Sequence, residues 1–350
     1  MPAGRDRDSR ELTVLEAMAA PLNARYGYSS PDLQRTLERS IALAGSLGRK
    51  DSTVAGMAAL WATEYVQGRT ADSYQTATRA LSLADPQSAL GGQAHFAVGG
   101  AAVSLGMPAE GLRHLELAAQ LTSGTVPLSV GTRPEVHSRA WAAHAHWLLG
   151  HDADALAVCR AAIALARSMD HPYSVAVTLA YGSITQQMRQ DVPGLRDSVG
   201  ELRQLCDRYQ FAYYREWVLI LDGWSRADES GIELARRGIS NLRSEGAFAR
   251  MPYWLSLLAD LLARSSQPDD ARGTLDAALA TGKAHDDLWW LPEVMRMRAA
   301  YDAEEAAIAR LRTAAGLASA HGSVALLLRC EHDLRARGVR LSAPGVLPTA

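Results

Sequence analysis

Four histidines (His137, His144, His146 and His151) and two tryptophans (Trp141 and Trp147) crowd into one fifteen-residue stretch. Imidazoles at this density suggest either a metal site or acid–base chemistry. On a helix, His137, Trp141 and His144 fall at i, i+4 and i+7 and form one stripe. His137 and His144 then stand about 10 Å apart along the axis, too far to share one ion, and His146 points to the other side. A zinc site built on this helix alone is therefore disfavoured, and no metal ligand is expected. Two readings remain for the stripe: inter-helix packing with satisfied imidazoles, or part of a groove lining. A second concentration is Trp289-Trp290, ahead of Leu291-Pro292-Glu293. Proline is tolerated in a helix's first turn, so the helix starts near Leu291 and the tryptophans stand on the segment approaching it. Glu293 and Arg296, at i and i+3, form either a solvated pair worth about 0.3 kcal/mol or further groove lining. The candidate binding residues are thus His137, Trp141, His144, Trp289, Trp290, Glu293 and Arg296.

The motifs of catalysis are missing. There is no GxxxxGK[ST] phosphate cradle; TGKAH at Thr281–His285 lacks the upstream glycine and the hydroxyl. HExxH, CxxC and GxSxG are absent as well. GGQAHFAVGG (Gly91–Gly100) has no strand before it. Gly99 and Gly100 inside a helix, at about 1 kcal/mol each relative to alanine, imply close helix packing or a ligand's approach. The net charge of −2 lacks the footprint of a nucleic-acid or membrane binder. Cys159, Cys206 and Cys330, odd in number and far apart, imply a reducing compartment. With no secretory leader and no apolar run of about 18 residues, the expectation is a cytoplasmic, non-enzymatic chain without cofactors.

The elements positioning these residues are helical. Alanine, leucine and arginine dominate, and apolar residues recur at helical spacing, as in Leu195, Val199, Leu202 and Leu205. First helices end at Gly68, Gly106, Gly150, Gln190, Arg226 and Ser266, at spacings of 38, 44, 40, 36 and 40 residues, just above the 34-residue tetratricopeptide period. The expected fold is all-α: a right-handed α-solenoid of stacked antiparallel helix pairs, tetratricopeptide-like. About eight pairs are expected at 10–48, 51–85, 88–123, 134–169, 172–210, 211–246, 250–285 and 287–322, with a capping helix at 323–337. Residues 1–9 and 338–350 read as flexible ends. Ser123–Arg133 reads as a hinge, a loop across the concave face or a harmless insertion. Trp61, Trp217, Trp224 and Trp254 read as core, and Arg335, Arg337 and Arg340 as a solvated last turn.

Three segments carry a family resemblance: TRPEVHSRAWAAHAHWLLGHDADAL (Thr132–Leu156), HPYSVAV (His171–Val177) and DDLWWLPEVMRMRA (Asp286–Ala299). With Tyr26–Leu43, Leu60–Arg69 and His95–Gly106, they resemble the C-terminal repeat region of large bacterial signalling ATPases. These include AfsR/SARP-type transcriptional regulators and class III adenylate cyclase–ATPase–tetratricopeptide proteins. The resemblance implies a sensor arm, free-standing or a piece of a longer regulator, that binds a protein or peptide partner in its concave groove, such as a signalling ATPase module. The alternative is a small-molecule effector receptor with its pocket inside the superhelix. No direct nucleic-acid or membrane partner is implied.

Overall fold

Residues 4–124 and 133–340 are described by a computed structural model, and among them every regular element is an α-helix. Eight antiparallel pairs follow in order: α1 (Arg5–Tyr26) with α2 (Pro31–Leu47), α3 (Lys50–Val66) with α4 (Thr70–Leu83), α5 (Ala89–Ser104) with α6 (Pro108–Leu121), and α7 (Pro134–Leu148) with α8 (Asp152–Ser168). Then come α9 (Pro172–Met188) with α10 (Val192–Tyr209), α11 (Ala212–Arg226) with α12 (Glu229–Ser244), α13 (Met251–Arg264) with α14 (Pro268–Ala284), and α15 (Leu291–Ala299) with α16 (Glu304–Ala320). A last helix, α17 (Val324–Ala336), caps the array. The architecture is the expected tetratricopeptide-like α-solenoid.

The first helices stop where the chain turns left-handed. Gly68, Gly106 and Gly150 take φ of 77°, 83° and 87°, and Gln190 and Ser266 follow at 60° and 59°. This is the usual C-terminal cap geometry. In the sixth pair the left-handed residue is Ala227, not Arg226. The N-terminal end also differs from expectation: helix begins at Arg5, with Asp6 and Asp8 in its first turn. Leu12 is fully buried among Leu43 and Ala44 of α2, and Glu11 pairs with Arg39 at 2.7 Å, so α1 is docked rather than frayed. Arg337 pairs with Glu304 instead of standing free in solvent. The expected hinge loop lies mostly outside the described residues; its near edge is tied down by the Gly124 N–H donating to the Glu135 carboxylate at 2.9 Å.

Close approach of the paired helices follows from their small residues. A Cβ on Gly99 would come within 2.9 Å of the Gly111 carbonyl oxygen, and one on Gly223 within 2.4 Å of the Gly231 carbonyl oxygen. The superhelix also closes on itself. A helix leaves its last carbonyls without partners, and here those of four first helices are met from across the molecule. The final carbonyl of α3, at Val66, accepts from Phe248 N–H at 2.8 Å, and that of α5, at Ser104, from Leu288 N–H at 2.8 Å. The Leu148 carbonyl ending α7 accepts from Ser323 Oγ at 3.5 Å, and the Met188 carbonyl ending α9 from Arg329 Nη2 at 2.7 Å. The segments leading into α13, α15 and α17 therefore seat on the ends of α3, α5 and α7. The middle of the concave face is a filled core, not the open groove that stacked pairs alone imply.

Candidate functional site

The inner stripe of α7 is aromatic, and partner rings meet it from three other helices. Trp141 is 1% exposed, with ring centroids of Tyr65 at 5.2 Å, Tyr181 at 5.4 Å and Trp61 at 6.3 Å. His137, 8% exposed, lies 4.8 Å from the Phe96 ring and 4.7 Å from Tyr181. Between these rings is a cavity of about 40 Å³, bordered by Trp61, Tyr65, Gln93, Phe96, His137, Trp141 and Tyr181. Both ring nitrogens of His137, Gln93 Oε1 and the indole nitrogens of Trp61 and Trp141 are buried without a hydrogen-bond partner. Burial, reinforced by Arg250, lowers His137 to about 3, so its ring is neutral. His144 is better satisfied: its Nε2 donates to the Tyr181 carbonyl at 2.8 Å. Burial and then Arg250 hold it well below the ordinary histidine range.

Sequence reasoning missed the charge at the centre. Arg250, 1% exposed, precedes α13 with φ of 61°. Its guanidinium lies 5.0 Å from the Trp141 and Tyr181 ring centroids, 5.3 Å from Trp289 and 6.0 Å from Trp217. This is a cation–π cage, and Nε and Nη2 have no hydrogen-bond partner. The segment is fixed because the preceding Phe248 and Ala249 N–H groups both bond to Val66. Asp287 is buried nearby, facing the Arg250 backbone and the Trp289 indole but closing a well-formed hydrogen bond with neither.

Burial pushes Asp287 up to about 7, against the pull of Arg250. Between pH about 4 and that value the folded chain keeps a proton the unfolded chain has released. This residue therefore makes stability fall as pH rises, by at most about 1.4 kcal/mol per pH unit. Asp287→Asn should remove that slope, so urea melts should show the variant gaining on the parent between pH 5 and pH 7. A difference that stays flat with pH would mean that Asp287 is ionised throughout.

The other candidates assemble at the C-terminal end. Trp289 and Trp290 do stand on the segment approaching α15, and both are buried, 4.9 Å apart. Trp290 Nε1 donates to Ser256 Oγ at 3.0 Å, and Arg329 covers the Trp147 and Trp290 rings at 4.9 and 5.9 Å. Glu293 and Arg296 do not form a solvated pair. Glu293 is 4% exposed and accepts twice from Arg296, at 2.8 and 3.0 Å, and once from Arg329, at 2.7 Å. Arg296 also bonds Asp333 at 2.6 Å. Burial alone would raise the Glu293 carboxyl; Arg296 and Arg329 outweigh it and hold it at about 2. This network floors a groove of about 490 Å³ between the α9 end, α13, α15 and α17, with Gln190, Asp260, His332 and Leu328 along it. The Leu328 side is open to solvent.

The seven candidates thus divide between a narrow aromatic chamber and an open groove, with the Trp289–Trp290 pair between them. The turn from α7 to α8 adds a cluster that spacing on α7 alone could not show. Ligand atoms of His146, His151 and Asp154 all lie within 4.8 Å of one another, close enough to converge on a cation. His146 and His151 come from the two sides of the turn, and Asp154 from the first turn of α8.

No family model matches the chain. An uncharacterized protein of Rhizobium meliloti (strain 1021) is 27% identical over 202 residues, which is 55% of this chain and 20% of that protein. The match thus spans about a fifth of that relative's length. Among solved structures, a Rap protein complexed with Competence and Sporulation Factor superposes with a TM-score of 0.58 at 11% identity, over 95% of this chain and 100% of that one. The apo form of RapI gives 0.55 at 14% identity, over 78% and 98%. The anaphase-promoting complex (APC/C) hetero-tetramer Cut9-Hcn1 gives 0.55 at 13% identity, over 91% and 55%. At these identities the likeness is one of fold: this chain is similar to helical-repeat superhelices in architecture.

Proposed function

We propose that this chain is a non-catalytic interaction and sensor scaffold of a bacterial signalling or transcription-regulatory system, taking a protein or peptide partner in its C-terminal groove. The observation that carries this reading is the groove of about 490 Å³ itself. Its floor is rigidified by the Glu293–Arg296–Arg329–Asp333 network, and apolar Leu328 stands exposed beside it. A preorganised, mixed polar and apolar cleft suits an extended peptide. The solved Rap protein complexed with Competence and Sporulation Factor supports a partner-binding role for such superhelices. An ATPase module as partner rests on the sequence resemblance. A cytoplasmic setting rests on the three unpaired, buried cysteines; in addition, no described helix is long and apolar enough to cross a membrane. Burial raises those same thiols to about 11 at Cys159 and about 12 at Cys206 and Cys330, so none of the three is an activated nucleophile at neutral pH; the non-catalytic role rests on the missing catalytic motifs.

Selection from a displayed random-peptide library tests the reading. Selected peptides should lose at least about tenfold in affinity to Leu328→Asp and keep it on Arg272→Ala, an exposed change on α14. Peptides indifferent to Leu328→Asp, or a library that yields none, would remove the groove as the binding site. A second reading, an effector receptor with its pocket inside the superhelix, is favoured by one observation: the chamber beside His137 holds buried polar atoms without partners.

A further inference from the structure

We propose that the turn from α7 to α8 holds a site for a zinc-class divalent cation, ligated by His146, His151 and Asp154. The proposal is independent of the peptide groove. Among the described residues, this is the one place where three such side chains bring their ligand atoms within 4.8 Å of one another.

The repeat explains why they meet. Gly68 and Gly150 end their helices with the same left-handed turn, at φ of 77° and 87°. Counted from those glycines, His146, His151 and Asp154 occupy the places that Glu64, Arg69 and Asp72 hold in the second pair. There the Arg69 guanidinium reaches both carboxylates, at 3.6 Å to Glu64 and 3.7 Å to Asp72. The turn thus gathers these three positions around one positive charge. The fourth pair keeps the aspartate but carries imidazoles in place of the glutamate and the arginine. The protein's own cation is gone, and two nitrogen ligands stand where it was held.

The two rings are not taken up in capping the helix ends. His151 is the residue before α8, yet its side chain caps no N–H of that helix. His146 Nδ1 has no hydrogen-bond partner, and its Nε2 stands 3.8 Å from the Glu116 carboxylate of α6. Zinc holds nitrogen and oxygen ligands at about 2.0–2.2 Å, which sets them about 3.3 Å from one another, so the cluster must tighten on binding. His151 and Asp154 are exposed and can rotate inward, while partly buried His146 supplies the anchor.

Charge favours a cation. The charged groups acting on His146 are the Glu116 and Asp154 carboxylates and His151. The start of α8 carries about half a positive elementary charge, which two carboxylates outweigh. Ligand type selects the metal: two imidazoles and a carboxylate suit zinc and its first-row neighbours, whereas calcium and magnesium take oxygen ligands. Glu116 is placed to orient the His146 ring or to complete the coordination.

The test is calorimetric titration of the full chain, free of any polyhistidine tag and stripped of metal with a chelator, using zinc alone and calcium alone. Zinc should bind one per chain with a dissociation constant on the order of 10 μM, and calcium at least about a hundredfold more weakly. Asp154→Asn removes one ligand charge. His151→Arg rebuilds the second pair's arrangement, with a guanidinium where the metal would sit. Both positions are exposed, and circular dichroism confirms that each variant is folded. Each should weaken zinc by at least about tenfold, while Asp269→Asn, an exposed change on α14, leaves it unchanged. Zinc binding that survives both variants would place the metal elsewhere and overturn the site. Calcium binding as tightly as zinc would overturn ligation by the imidazoles. No zinc binding tighter than about 1 mM by the parent would overturn the proposal outright.

Discussion

Trp141→Ala is expected to lower folding stability by about 3–5 kcal/mol, the range for emptying a large buried aromatic site. The indole is packed on Trp61, Tyr65, Phe96, Tyr181 and the Arg250 guanidinium. These partners come from α3, α5, α9 and the segment before α13, so the cavity opens where four parts of the chain meet and no single neighbour can collapse into it. Arg250 also loses one of the faces that shield its charge. Urea melts of parent and variant measure the loss, with Arg272→Ala as the exposed control. A loss below about 1 kcal/mol would mean that the neighbouring rings close the gap, and that the chamber is soft.

Removing Glu293 should act at the other end. Glu293→Ala leaves Arg296 and Arg329 facing each other without the carboxylate that joins them. Breaking a buried pair by deleting one partner costs about 3–5 kcal/mol. The lower end applies here, because Arg296 and Arg329 remain 24% and 26% exposed. Since Arg329 also holds the Met188 carbonyl, α17 should loosen first, which hydrogen exchange on Val324–Ala336 would reveal. The acid dependence has a definite sign. The carboxyl is held at about 2 against an ordinary 4.5, so its contribution is fully present above pH about 4.5 and is lost as pH falls toward 2. A variant whose melts parallel the parent's between pH 6 and pH 3 would show that Glu293 carries no such load. Full protection of α17 would separate the capping helix from this network.

Helical periodicity and stop residues place nearly every element within a few residues, because both signals are local. The seating of one part of the superhelix on another is not local, and it escaped. Pairing alone shows which face of α7 turns inward, but not that Phe248 and Leu288 return to cap α3 and α5. For that reason Trp141 reads from sequence as groove or packing, and Glu293 as a solvated ion pair or groove lining. One trace was available. Met251-Pro252 and Leu291-Pro292 are 40 residues apart, and the bonds to Val66 and Ser104 come from equivalent positions before each. The same register sets Arg250 opposite Trp290. An arginine at a place where the neighbouring unit has a buried tryptophan is the one sequence signal for the central cation. Asp287 has no comparable signature.

The bonds from Phe248 to Val66 and from Leu288 to Ser104 also bear on how the chain is made. Synthesis at about 5–20 residues per second separates their two ends by roughly 10–40 s. During that interval the aromatic inner faces of α3, α5 and α7 have left the ribosome and can pack on one another, but the segments that complete them are missing. Repeat arrays usually propagate unit by unit from a local nucleus, but here the early units can be completed only after the seventh and eighth arrive. The emerging chain therefore waits longest for its farthest contacts, and its yield in a cell should fall when translation of the last third is slowed.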